Sequence, residues 1–295
     1  MLPADETQPA YEALIARMAA WAADEPDIRA ALIVGSRARS ERPADVWSDL
    51  DLVFFARDPE RYLRQTEWIA GFGEVWLTFL EPTAAGGGTE RRVLYAGGLD
   101  VDFSVFPLAA VAALSDDAEA RGVLARGVRV VLDKDGLAAQ LTAGHPPPAP
   151  PRLPAAATIE HDAQDFWYHA LWTAKKLRRG ELWTAKMCCD GHLKWLLLRL
   201  LEWHARATAH ATTSAPADTW HAGRFADAWA DPRALAALRG AFARYDSDDI
   251  WRALAATMDL YRWLALELAE RVSYAYPAEA DRQVTALIHE LAAGR

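Results

Sequence analysis

Three aspartates and one glycine–serine pair hold the residue types most able to do chemistry in this chain. The sequence reads Ile33-Val34-Gly35-Ser36-Arg37-Ala38, then a short polar stretch, then Trp47-Ser48-Asp49-Leu50-Asp51-Leu52-Val53-Phe54-Phe55. In an extended strand, side chains two positions apart share a face, so Asp49 and Asp51 aim together while Leu50, Leu52 and Phe54 point away. Two parallel carboxylates beside an apolar face are costly unless a cation lies between them. A magnesium ion that also holds phosphates fits that need. Gly35-Ser36 follows an apolar run and offers backbone N–H groups and a small hydroxyl, the donors a phosphate takes up.

A third carboxylate on a neighbouring strand would complete a site where an acceptor hydroxyl attacks the α-phosphorus of a nucleotide. Asp102, in Leu99-Asp100-Val101-Asp102-Phe103-Ser104-Val105, is the candidate. It could ligate the metal, accept the hydroxyl proton, or both. Asp100, on the same face, reads as a solvated strand-end residue.

The elements that must position these groups follow from periodicity. Residues 8–23 read as an amphipathic helix. Strands are expected at 28–34, 51–55, 75–80, 92–95, 101–106 and 128–132. A helix opens at Pro59 and runs through Ile69, and others are expected at 107–126 and 135–143. Gly86-Gly87-Gly88 lacks the lysine of a P-loop and the spacing of a dinucleotide fingerprint, so it reads as a hairpin connection. A proline run from His145 to Pro154 reads as a semi-rigid linker. Beyond it the pattern turns helical, over 157–179, 182–209, 232–244, 248–272 and 279–293, with a short helix near 220–229. The expected organisation is a nucleotide-handling domain over 1–144, a linker over 145–154 and a helical substrate-binding domain over 155–295.

The 295 residues can bury a sizeable core, and a composition 52% hydrophobic and 25% charged is globular. A net charge of −9 argues against nucleic-acid binding through phosphate neutralisation and suits a polycationic ligand. The adjacent Cys188-Cys189 pair forms neither a disulfide framework nor a zinc site and reads as inert helical thiols. With no basic-then-apolar leader and no long apolar run, the expectation is a cytoplasmic protein without a membrane partner, a monomer in the simplest case.

Together these residues resemble a known family. Gly35-Ser36, Asp49-Leu50-Asp51 and Asp102 look like the signature of polymerase-β-like nucleotidyltransferases. More narrowly, Gly35-Ser36-Arg37-Ala38 and Ser48 through Phe55 resemble the aminoglycoside 6-adenylyltransferases, also called streptomycin adenylyltransferases. In the second half, Asp165-Phe166-Trp167, Lys175, Leu177, Arg179-Gly180-Glu181 and the segment from Arg199 to Trp203 are similar to that family's helices, so the likeness spans roughly residues 10–270. It implies an α+β fold: a polymerase-β-like nucleotidyltransferase domain, with a mixed sheet and flanking helices, followed by a C-terminal α-helical bundle. It also implies transfer of AMP from ATP to an aminoglycoside hydroxyl, with magnesium and release of pyrophosphate, in a cleft between the two domains.

On that reading Asp49 and Asp51 hold magnesium, Asp102 is base or third ligand, and the Gly35-Ser36 turn holds the β- and γ-phosphates. Arg37 pairs with the triphosphate or solvates the turn, and Lys175 reaches the triphosphate or is a solvated helix lysine. Asp162, Asp165 and His169 lie within reach of one another on a helix. Asp165 with Trp167 or Trp172 offers a cationic acceptor a carboxylate and aromatic faces, or is a capping acid beside core aromatics. Asp165 stands where the family has Glu, Trp172 where it has Tyr, and Lys176 where it has Gly. The 81–92 segment is also shorter and more glycine-rich. These departures bear on the acceptor rather than on AMP transfer. Two other readings are open: the same chemistry on a protein hydroxyl or another metabolite, and a catalytically silent ATP-binding regulator.

Overall fold

A computed structural model describes residues 2–142, 152–212 and 217–294, with the side chains of 210–212 outside the description. The chain divides into two compact units, residues 1–149 and 150–295, each described here by itself. The proline run from 145 to 151 lies outside the described residues.

The first unit is a six-stranded mixed sheet. Its strands are β1 (Ile28–Val34), β2 (Leu50–Ala56), β3 (Val75–Pro82), β4 (Thr89–Tyr95), β5 (Leu99–Pro107) and β6 (Arg129–Asp133), in the order β3-β4-β5-β2-β1-β6. Only β2 and β5 run parallel; the remaining pairs are antiparallel. Period-two alternation sorts the side chains to two apolar layers. Ile28, Ala31, Ile33, Leu50, Leu52, Phe54, Val101, Phe103 and Val105 pack on one side with α1 (Ala4–Asp24) and α2 (Pro59–Arg64). On the other side Ala30, Leu32, Phe55 and Phe106 pack with α3 (Ala110–Asp116), α4 (Ala118–Arg126) and α5 (Leu137–Thr142).

Three helices depart from the periodicity. α1 starts earlier than expected and carries Pro9 inside it. The helix opened by Pro59 stops at Arg64, because Gln65 is extended and the Trp68 indole N–H donates to the carbonyls of Tyr62 and Gln65. The single helix expected over 107–126 is two, since Asp117 is extended and caps α4 by accepting from Ala120 N–H. The triple glycine falls at the β3–β4 turn, where Gly86 and Gly87 have positive φ.

The second unit is all helix: α6 (Ala156–Arg178), α7 (Leu182–Met187), α8 (Leu193–Thr212), α9 (Ala226–Trp229), α10 (Pro232–Ala241), α11 (Ser247–Arg271) and α12 (Ala278–Ala292). The helix expected over 182–209 is broken by a π-helical turn at Cys188–His192. Leu193, Leu196, Leu197, Leu200 and Leu201 face the core as their spacing indicates. Buried Lys194 donates to the Cys189 carbonyl and to Thr257 Oγ1, both at 2.8 Å, so its charge is tied into α8 and α11. Among the described residues no helix is long and apolar enough to cross a membrane.

Phe103 sits at the centre of the layer behind the acids, with no exposed surface and ring centroids 4.9 Å from Trp68 and 5.7 Å from Phe54. Phe103→Ala is expected to cost about 3–5 kcal/mol in chemical unfolding. A loss below about 1 kcal/mol would contradict this packing.

Candidate active site

Strand register brings the three acids together. β2 and β5 pair in parallel with Asp51 beside Asp102, and β1 pairs with β2 so that Val34, the residue before Gly35, lies against Asp51. Asp49 stands just ahead of β2. Carboxylate oxygens of Asp49, Asp51 and Asp102 lie within 4.8 Å of one another. They rise from the sheet face that carries Phe55 and Phe106 further along the same strands, at the end those aromatics leave clear.

The turn after β1 is shaped around these acids. Gly35 has φ +68°, and a Cβ there would collide with Asp51 Oδ2. Only glycine lets the backbone pass this close to the carboxylate. The Ser36 hydroxyl oxygen is buried and lacks a hydrogen-bond partner among the described residues. An unpartnered buried hydroxyl is rare and costly unless a ligand completes it, and here it lies in a turn of small residues. A magnesium-bound phosphate fits both features: hard carboxylate oxygens for the cation, and an unspent hydroxyl for the anion.

Asp102 is 5% exposed. Burial raises its pKa to about 7; Arg92 opposes the rise, while Asp51, Glu90 and Asp49 add to it. Arg92 Nη1 approaches Asp102 Oδ2 at 2.7 Å from the directly opposed position on β4. The same guanidinium pairs with Glu90 at 3.0 Å and with Glu81. Glu90 is itself buried, bonded by the Ser104 hydroxyl at 3.2 Å, and burial raises its pKa. Arg92 and Glu90 are absent from the sequence reading. The signal was their shared face with Asp102, hidden because β4 was started at Arg92 rather than Thr89.

Arg37 is engaged within the turn and its surroundings. Its Nε donates to the Asp49 carbonyl at 2.8 Å, Nη2 to the Ser48 carbonyl at 2.6 Å and Nη1 to Gln8 Oε1 at 2.8 Å. The guanidinium carbon stacks 3.5 Å from the centroid of Tyr11, whose hydroxyl donates to Asp100 Oδ1 at 2.9 Å. Arg37 therefore fastens the turn to the backbone that carries Asp49. Asp100 is exposed yet bonded to Tyr11, so it anchors α1 to β5 rather than standing only in solvent.

Of the residues expected to meet the acceptor, Trp167 is set apart, while Asp165 and Trp172 both flank His169 on α6. Trp167 is 2% exposed and belongs to the helical core, with Arg262 over its ring. Asp165 Oδ1 receives both His169 Nδ1 at 2.5 Å and His192 Nε2 at 3.0 Å. Trp172 is half-buried and faces Lys176 Nζ at 5.0 Å from its centroid, so Lys176 supplies a cation to that aromatic face. Asp162 is buried and pairs with Arg199 at 3.1 Å rather than joining Asp165 and His169. Lys175 is exposed on α6.

A mixed sheet with an acid trio at the ends of adjacent strands is the arrangement of a nucleotidyltransferase. The profile of the streptomycin adenylyltransferase family matches residues 10–291, and the chain belongs to that family. It is 22% identical over 274 residues to an aminoglycoside 6-adenylyltransferase of Bacillus subtilis strain 168, covering 90% of this chain and 92% of the relative. It is also 22% identical over 269 residues to one of Campylobacter jejuni, covering 87% of each. The crystal structure of an aminoglycoside 6-adenyltransferase from Bacillus subtilis aligns over 99% of both chains at 16% identity, with a TM-score of 0.44. The family, the α+β fold class and the enzyme class expected from the motifs are borne out.

Two outcomes follow. Arg37→Ala frees three acceptors, two of them backbone carbonyls beside Asp49, and should destabilise the first unit by about 1–3 kcal/mol in urea unfolding; unchanged stability would contradict the bracing role. The pKa of Asp102 is raised in the folded state, so the folded state holds more protons between its ordinary value and about 7. Stability then falls as pH rises through that window. In chelator, Asp102→Asn should raise Tm at pH 8, and the gain should shrink toward pH 5. An equal change at both pH values would contradict the charge assignment.

Proposed function

We propose that this enzyme transfers AMP from ATP to a hydroxyl of a cationic aminoglycoside, with streptomycin as the leading acceptor, and releases pyrophosphate. The observation that carries the reading is the convergence of Asp49, Asp51 and Asp102 beside the unpartnered Ser36 hydroxyl. The names of the relatives supply the acceptor class, and the chain's net charge of −9 suits a polycation.

Asp49 and Asp51 would hold magnesium. Bound there, the ion would neutralise charge on the phosphates during in-line displacement. Ser36 Oγ and the N–H groups of its turn bind and orient the triphosphate. Gly35 lets that backbone approach, and Arg37 keeps Asp49 in place. Asp102 accepts the proton of the acceptor hydroxyl at Oδ1, since Oδ2 is paired with Arg92. The acceptor oxygen forms a bond to the α-phosphorus, the bond from that phosphorus to the pyrophosphate oxygen breaks, and the proton rests on Asp102. Arg92 holds the charged array of Glu81, Glu90 and Asp102 together through the cycle.

The test is mass analysis of an aminoglycoside panel after incubation with ATP and magnesium. Gain of one AMP on streptomycin or another member is expected, with a loss of about a thousandfold or more in Asp51→Asn, a range typical of removed electrostatic stabilisation. Full activity in Asp51→Asn at saturating magnesium would overturn the site. An AMP adduct on a protein or on no panel member, with ATP still consumed, would overturn the acceptor class.

A further inference from the structure

The helical unit carries a second convergence of ligating groups, made of different residues from the acid trio. Asp165 and His169 are four residues apart on α6 and therefore share a helix face. His192 comes from the π-helical turn Cys188–His192. The extra residue of that turn shifts the register between α7 and α8, and such turns concentrate at functional sites. One ligand atom from each residue lies within 4.8 Å of the others. The two imidazoles are 4.2 Å apart between centroids and tilted by 57°.

Two ring nitrogens converge on one oxygen, Asp165 Oδ1, which has a lone pair for each. The nitrogens stand 2.5 and 3.0 Å from that oxygen. Ligand atoms around a tetrahedral zinc ion with bonds of 2.0–2.1 Å are about 3.3 Å apart. Small side-chain movements therefore bring the three donors to a shared cation. Side-chain exposures of 21%, 32% and 39% for Asp165, His169 and His192 leave a path for an ion to enter.

An open surface pocket of about 440 Å³ is lined by the two histidines with Trp172, Trp183, Thr184, Met187 and Cys188. Cys188 is buried with its Sγ toward the His169 carbonyl at 3.9 Å, outside the group of three donors.

We propose that Asp165, His169 and His192 form a binding site for a borderline divalent transition-metal ion such as Zn²⁺, with an open coordination position facing the pocket. Two imidazoles and one carboxylate select such an ion over magnesium, which prefers all-oxygen ligands. The ion ties α6 to the turn between α7 and α8, and its open position accepts water or a small ligand from the pocket. The site is built from residues of the helical unit alone, and its test does not depend on the AMP-transfer reading.

Calorimetry with Zn²⁺ on the full chain, freed of metal by chelation, tests the proposal, with Co²⁺ absorption reporting the coordination environment. One Zn²⁺ per chain is expected at this site. His192→Ala and His169→Gln should each weaken it at least tenfold, and Asp49→Asn should leave it unchanged. Zn²⁺ should also raise the Tm of the wild-type chain and of Asp49→Asn but not of His192→Ala, with all variants confirmed as folded by circular dichroism. No Zn²⁺ bound by the wild type, binding unaltered in both folded histidine variants, or binding lost only in Asp49→Asn would overturn the proposal.

Discussion

The structure turns on like charges held together. Asp49, Asp51 and Asp102 meet because β2 and β5 run parallel in a register that sets Asp51 beside Asp102. At the spacing observed, each carboxylate pair repels by a few kcal/mol at an effective dielectric near 20. Burial of Asp102 makes the conflict sharper and moves its titration to about 7. A fold that keeps such a cluster must supply counter-charge. Arg92 neutralises one oxygen of Asp102 and shares itself with Glu81 and Glu90.

Much of the first unit exists to hold that conflict in register. The aromatic layer of Phe54, Trp68, Phe72 and Phe103 stiffens the strands behind the acids. Arg37 clamps the carbonyls of Ser48 and Asp49, and Tyr11 ties Arg37 to Asp100. Gly35 completes the frame by having no side chain where one would meet Asp51. Sequence, backbone conformation and charge thus converge on one point: an anionic floor beside a turn that can receive phosphate.

The strands were legible because their apolar faces alternate, and the acids because they interrupt that alternation at fixed positions. Asp51 and Asp102 could be placed on strands from sequence, but not side by side, since parallel register depends on contacts distant in the chain. Arg37 shows the same limit. Its three acceptors and the Tyr11 ring lie on segments whose approach to Arg37 spacing alone does not reveal. In the helical half the spacing of Asp165 and His169 was visible, while His192 was not, because a π-helical turn shifts the 3.6-residue period on which such reading depends. Trp167 carried an ambiguity that spacing cannot resolve, since a core tryptophan and a binding tryptophan have the same period.

The central claim is that the acid trio and the Ser36 turn form one receptor for a divalent cation and a triphosphate. The most direct measurement is calorimetric titration of the full chain with a non-hydrolysable ATP analogue, with and without magnesium. The account predicts binding that depends on magnesium in the wild type, weakens at least tenfold in Asp49→Asn, and weakens in Ser36→Ala through loss of a phosphate donor. Equal affinity with and without magnesium, or unchanged magnesium-dependent binding in Asp49→Asn, would contradict it.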